Sequence, residues 1–135
     1  MAISEAVLDA LKRRARDAAA HAYAPYSGFA VGAAVLTDGG QIHSSTNVEN
    51  ASFGLSNCAE RNAIFQAVAH GARKLAALAV YTPTPDATMP CGACRQVLAE
   101  FGADAIVVCC TDDGAREQRF ALVELLPAAF GPASL

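Results

Sequence analysis

Two apolar runs constrain this chain most: "LAALAVYT", Leu75 to Thr82, and "AIVVCCT", Ala105 to Thr111. Neither alternates with polar residues, so each reads as a strand covered on both faces. The segment between them carries Pro83, Pro85 and Pro90 and then a helical stretch from about Cys91 to Phe101, closed by Gly102. A strand–helix–strand unit of this kind demands a right-handed crossover and a sheet with helices on both faces.

The remaining elements extend that unit. Val7, Leu8, Leu11, Ala15, Ala18 and Ala22 recur at helical spacing, which places a first helix from about Ser4, its N-cap, to about Ala22 before Pro25. "FAVGAAVL" (29–36), "DGG" and "QIHSSTNV" (41–48) read as two strands joined by a tight turn. A second helix fits Cys58 to His70, with Gly71 just past its end. "DDG" turns into a short strand near Gln118 to Ala121, and "LVELLPAAF" gives a short last helix stopped by Pro127. The order is α, β, β, α, β, α, β, β, α. The expected fold is α/β, a three-layer α/β/α arrangement around a five-stranded mixed sheet, in a single domain over residues 1–135.

Composition narrows the function. Hydrophobic residues make up 53% of the chain and charged ones 17%, which excludes disorder and points to apolar surface shared between subunits. The net charge is −3, and the basic residues Lys12, Arg13, Arg14 and Arg16 do not continue into a stripe, so no nucleic-acid partner is expected. No run is long enough to span a bilayer, and an N-terminus carrying Glu5 and Asp9 does not look like a secretory signal. The expectation is a cytoplasmic protein with reduced thiols; five cysteines, an odd number, fit metal or catalytic use better than disulfides.

Three of those thiols stand in a pattern. "SNCAERNAIF" puts Cys58 two residues before Glu60, and "MPCGACRQVL" puts Cys91 and Cys94 one helical turn apart. All three fall at helix N-termini, where unpaired N–H groups favour the thiolate, the form that binds zinc. Three protein ligands leave one tetrahedral position for water, and Glu60 stands where it could handle that water's protons. Spacing alone leaves other readings open. Glu60 could complete a capping box with Asn57. Cys109 or Cys110, which read as buried structural thiols, could supply a fourth ligand and close the site.

The motifs carry more than spacing does. "CAE" followed by "PCGAC" resembles the zinc deaminase signature, with cysteine in place of the first histidine ligand. "AYAPYSGFAVGAAV", "NVENASFGLSNCAER", "PCGACRQV" and "ELLPAAF", in that order across nearly the whole chain, resemble the small, homotetrameric type of cytidine deaminase.

That resemblance implies a sheet of strand order 2-1-3-4-5 and one zinc ion per subunit on Cys58, Cys91 and Cys94. It implies hydrolytic deamination of cytidine and deoxycytidine in pyrimidine salvage, with Glu60 protonating ring N3 and then carrying a proton to the departing amine. A nucleoside antibiotic as substrate, or a non-catalytic zinc-binding module, are the competing readings.

The implied substrate contacts are Asn47 and Glu49 on the ribose, Phe29 stacking on the base, backbone groups at Ala59, and Phe130 reaching in from a neighbouring subunit of a tetramer with shared sites. Arg61 resembles the arginine that hydrogen-bonds the zinc thiolates, a contact that would offset the excess charge of three thiolates on one zinc ion. Arg95 is a weaker candidate for the same task. Phe53 departs from the many relatives that carry tyrosine there. His21, His43 and His70 match no ligand position: His70 reads as a contact with its helix C-terminus, the other two as solvated.

Overall fold

The computed structural model describes residues 2–135. Helix α1 (Glu5–Ala19) starts on Ser4, whose hydroxyl accepts the Val7 amide proton. Strands β1 (Gly32–Thr37) and β2 (Ile42–Thr46) form the first hairpin, followed by α2 (Ala59–Ala69), β3 (Leu75–Tyr81), α3 (Gly92–Phe101), β4 (Ile106–Cys110), β5 (Gln118–Ala121) and α4 (Leu122–Leu125). The sheet order is β2-β1-β3-β4-β5. Only the β3–β4 pair is parallel; the others are antiparallel. Element order and strand order agree with the sequence reading and its family resemblance.

The apolar runs are continuous because the sheet has helices on both faces. Ala34 and Leu36 of β1 and Ala77, Ala79 and Tyr81 of β3 pack under α1, against Leu11, Ala15 and Ala19. The alternate residues, Ala33, Val35, Leu78 and Val80, pack with Ile64 of α2, Leu98 of α3 and Leu122 of α4. Strand residues alternate between faces, so a strand between two helical layers has no polar side. Gly32 sets how closely α1 approaches: a Cβ there would stand 1.8 Å from the Ala15 carbonyl oxygen.

Strand and helix limits depart from the expectation where side chains intervene. Residues 29–31 lie outside β1, because the Asn47 side chain accepts the Val31 amide at 3.0 Å and donates to the Phe29 carbonyl at 2.8 Å. Those backbone groups are satisfied without a ladder. Helix α1 ends at Ala19, short of Ala22, and the Tyr23 N–H bonds the Asn47 carbonyl. His43 is not solvated: it is half-buried, its ring lies 5.1 Å from that of His70, and its Nε2 is buried without a partner. His70 closes α2 as expected, its Nδ1 2.8 Å from the Gln66 carbonyl.

Candidate active site

The site lies where α2 and α3 begin. Cys58 and Cys91 are the N-caps of these helices, and Cys94 is the third residue of α3. The Sγ atoms of Cys58 and Cys91 are 3.9 Å apart and those of Cys91 and Cys94 3.4 Å; all three lie within 4.8 Å of one another. Thiolates held tetrahedrally at about 2.3 Å from zinc would stand roughly 3.8 Å apart, so the donor set fits that ion. Neither Cys109 nor Cys110 joins the group, which leaves three ligands among the described residues. Cys91 is exposed while Cys94 is buried, so the cluster opens to one side only.

Electrostatics push the Cys58 and Cys94 thiols in opposite directions. The Cys94 thiol, and then the Arg61 guanidinium, hold Cys58 down to about 5 against the opposing effect of burial. Cys94 is driven the other way by its bond to Cys58 and by burial. Arg61 donates through Nη2 to the Cys58 sulfur at 3.3 Å. Burial pushes the Cys109 and Cys110 thiols up to about 12 and about 11, so both stay protonated at neutral pH.

Glu60, the second residue of α2, is 5% exposed. Burial raises its carboxyl to about 7; its own backbone N–H opposes this and the Cys58 charge adds to it. The capping-box reading fails, because Cys58 rather than Asn57 is the N-cap and no side chain caps α2. Asn57 instead donates to Asn62 at 2.7 Å, and Asn62 to the Thr46 carbonyl at 2.8 Å. This chain of bonds ties the approach to Cys58 onto the end of β2.

A cavity of about 280 Å³ opens beside the thiols, and Phe29, Asn47, Glu49, Cys58, Ala59 and Glu60 all line it. Phe29 is a wall residue of the cavity, 41% exposed, and lies outside the strand expected over 29–36. Glu49 accepts the amides of Tyr26 and Ser27, each at 3.0 Å, and the Ser27 hydroxyl; these bonds, the hydroxyl first, hold its carboxyl below the usual range. Phe130 does not line this cavity in its own chain. Phe53 lies in an adjoining depression, edge-on to Tyr26 at 5.8 Å. A cavity of similar size, about 270 Å³, lies on the α1 face among the ion pairs of Lys12 with Glu117 and Arg16 with Asp112; Cys110 lines it, but none of Cys58, Glu60, Cys91 and Cys94 does.

Sequence reasoning missed Ser27, Thr88 and Met89, which also line the cavity. Nothing in their spacing marks them. Thr84 donates to the Asp86 carbonyl, so Thr82 donates to Thr84 and Thr88 to Thr82, leaving Thr88 only lone pairs to offer the cavity. Arg95 was misread: it donates to the carbonyls of Pro90 and Leu125, not to sulfur.

A three-thiol group that could hold a metal ion, with Cys58 and Cys91 lining a cavity on an α/β scaffold, is the donor set of a metal-dependent enzyme class. The chain belongs to the cytidine and deoxycytidylate deaminase family, whose zinc-binding region matches residues 6–110. It is 43% identical over 128 residues to the cytidine deaminase of Sporosarcina psychrophila, covering 95% of this chain and 92% of that one. It is 49% identical over 110 residues to that of Halalkalibacterium halodurans, covering 81% and 83%. The crystal structure of cytidine deaminase from Burkholderia pseudomallei superposes with a TM-score of 0.86 at 45% identity, covering 95% of this chain and all (100%) of that one.

Proposed function

We propose that this protein hydrolyses cytidine and deoxycytidine to uridine and deoxyuridine with release of ammonia, using one zinc ion held by Cys58, Cys91 and Cys94. The observation that carries the reading is the buried Glu60 carboxyl, raised to about 7, beside three thiols with an open side. Zinc at this site supplies the Lewis acidity that makes bound water a nucleophile at neutral pH.

Glu60 has the burial and the proton affinity of a proton carrier. It takes a proton from the attacking water and gives it to ring N3 as the oxygen adds at C4. It then moves the remaining hydroxyl proton to the amine, the C4–N bond breaks and ammonia leaves. Asn47 and Glu49 hold the ribose, Phe29 covers the base, and the small Ala59 lets the base approach the backbone. Arg61 draws charge from the thiolates, which otherwise outweigh the metal's charge.

The site is completed by a second copy in a homotetramer. In support, Phe53 is 73% and Phe130 62% exposed, a costly arrangement for a monomer. Phe130 reaches into a neighbour's cavity, while Phe53 offers apolar contact without the hydroxyl of a tyrosine. Sedimentation giving a stable monomer would overturn this. No helix of the described residues is long and apolar enough to cross a membrane, and reduced thiols suit a cytoplasmic role in pyrimidine salvage.

Ultraviolet absorbance of cytidine tests the central reading, with Glu60→Gln alongside. Conversion by wild type, and a large loss of kcat with zinc retained in the variant, is expected. A fully active Glu60→Gln would rule out the proton carrier. A wild type that binds zinc but leaves cytidine unchanged would rule out the substrate. The competing binding-module reading lacks a fourth protein ligand among the described residues.

A further inference from the structure

Arg95 is the one arginine near the thiol cluster whose bonds all go to backbone. Its side chain donates through Nε to the Pro90 carbonyl at 2.7 Å and through Nη1 to the Leu125 carbonyl at 2.9 Å. Its own amide donates to the Cys91 carbonyl at 3.0 Å. The side chain thus holds the Pro90–Cys91 peptide, while the Cys91 carbonyl is held by the first backbone bond of α3, which does not depend on the arginine side chain. No carboxylate pairs with Arg95 among the described ion pairs, so its bonding capacity is directed at these carbonyls.

The second bond reaches the other end of the fold. Leu125 is the last residue of α4, and its carbonyl is among those a helix leaves unsatisfied. The next residue of α3, Gln96, donates to the Phe130 carbonyl at 2.9 Å. Helix α3 thus presents Cys94 on its buried side and grips the C-terminal segment with the two residues that follow.

We infer that Arg95 is a positioning residue for the metal centre, a clasp that fixes the peptide entering Cys91 by anchoring it to the end of α4. The cluster needs such a clasp because Cys91 is its exposed member and caps its helix without a side-chain bond of its own to the backbone. A ligand whose preceding peptide can rotate loses the alignment that lets three sulfurs meet one ion. The inference rests on the reading that Cys58, Cys91 and Cys94 hold zinc.

The test compares Arg95→Ala and Arg95→Lys with wild type, each loaded with zinc. Zinc transfer to a chelator is timed, and the thiolate absorption of the cobalt-substituted proteins is recorded. Arg95→Ala is expected to release zinc about 10–100-fold faster, with an altered cobalt spectrum and a lower kcat at little-changed KM. Arg95→Lys keeps the charge but cannot bond both carbonyls, so it should recover only part of the loss. Should Arg95→Ala fail to fold, Arg95→Lys decides alone. Wild-type release and spectrum in either variant would overturn the clasp, full recovery by lysine included, since charge alone would then suffice. A Cys91→Ser variant that keeps its zinc would instead overturn the ligand reading itself.

Discussion

Arg61 donates to the sulfur of Cys58, one helical turn back along α2 at 3.3 Å, and its Nε is buried without a partner. With zinc on Cys58 as proposed, a guanidinium so placed would drain charge from the thiolate and keep the metal a stronger Lewis acid. Arg61→Gln is expected to lower kcat about 10–100-fold while zinc stays bound. Steady-state kinetics with metal analysis checks this; an unchanged kcat would reduce Arg61 to a helix-surface charge.

Ser27 joins two walls of the cavity. Its hydroxyl donates to Glu49 and accepts the Phe29 amide at 3.0 Å. Ser27→Ala removes both bonds, each worth about 1 kcal/mol. The expected result is a KM for cytidine raised about tenfold with a smaller change in kcat, since in the proposed reaction Glu49 holds the ribose and takes no part in the chemistry. Equal KM values in the two proteins would show that Glu49 is oriented by the backbone amides alone.

Gly32 lets helix α1 lie directly on β1. In Gly32→Ala the new methyl would meet the Ala15 carbonyl oxygen at 1.8 Å and the Ala19 nitrogen at 2.7 Å, both backbone atoms. Neither can swing away as a side chain would, so the helix must lift. Destabilisation of at least about 1–3 kcal/mol is expected, read from the midpoint of chemical denaturation. An unmoved midpoint would mean that α1 is free to shift.

His43 gives stability a pH dependence. Burial first, then the charges of His70 and Arg14, hold its pKa below the ordinary 6.5. The folded state therefore binds fewer protons than the unfolded one as pH falls through 6.5, and stability falls with it. Above about pH 7.5 both states hold the ring neutral and this contribution is complete. Melting temperatures between pH 7.5 and 5.5 should decline more for wild type than for His43→Gln; parallel slopes would sink the idea.

The local features of this fold follow from the order of its residues. Continuous apolar runs at 75–82 and 105–111 required strands covered on both faces, and one helix between them required a parallel pair. Three thiols placed at predicted helix starts stayed at helix starts, because capping depends on neighbours within a turn. The sulfur cluster was legible for that reason, although spacing alone did not show whether a fourth thiol would join it.

Tertiary packing decided the rest. Arg95 has the same local look as a thiolate donor, yet it bonds a carbonyl thirty residues away that no spacing rule could supply. Asn47 falls in the second predicted strand, yet it lies past the end of β2, and its amide bonds the Phe29 and Val31 backbones, which lie outside β1. His43 is half-buried with the ring of His70, at the end of α2, beside it. Periodicity encodes which face of an element is apolar; which distant polar group a side chain meets depends on how the elements dock, and that is fixed by the whole core at once.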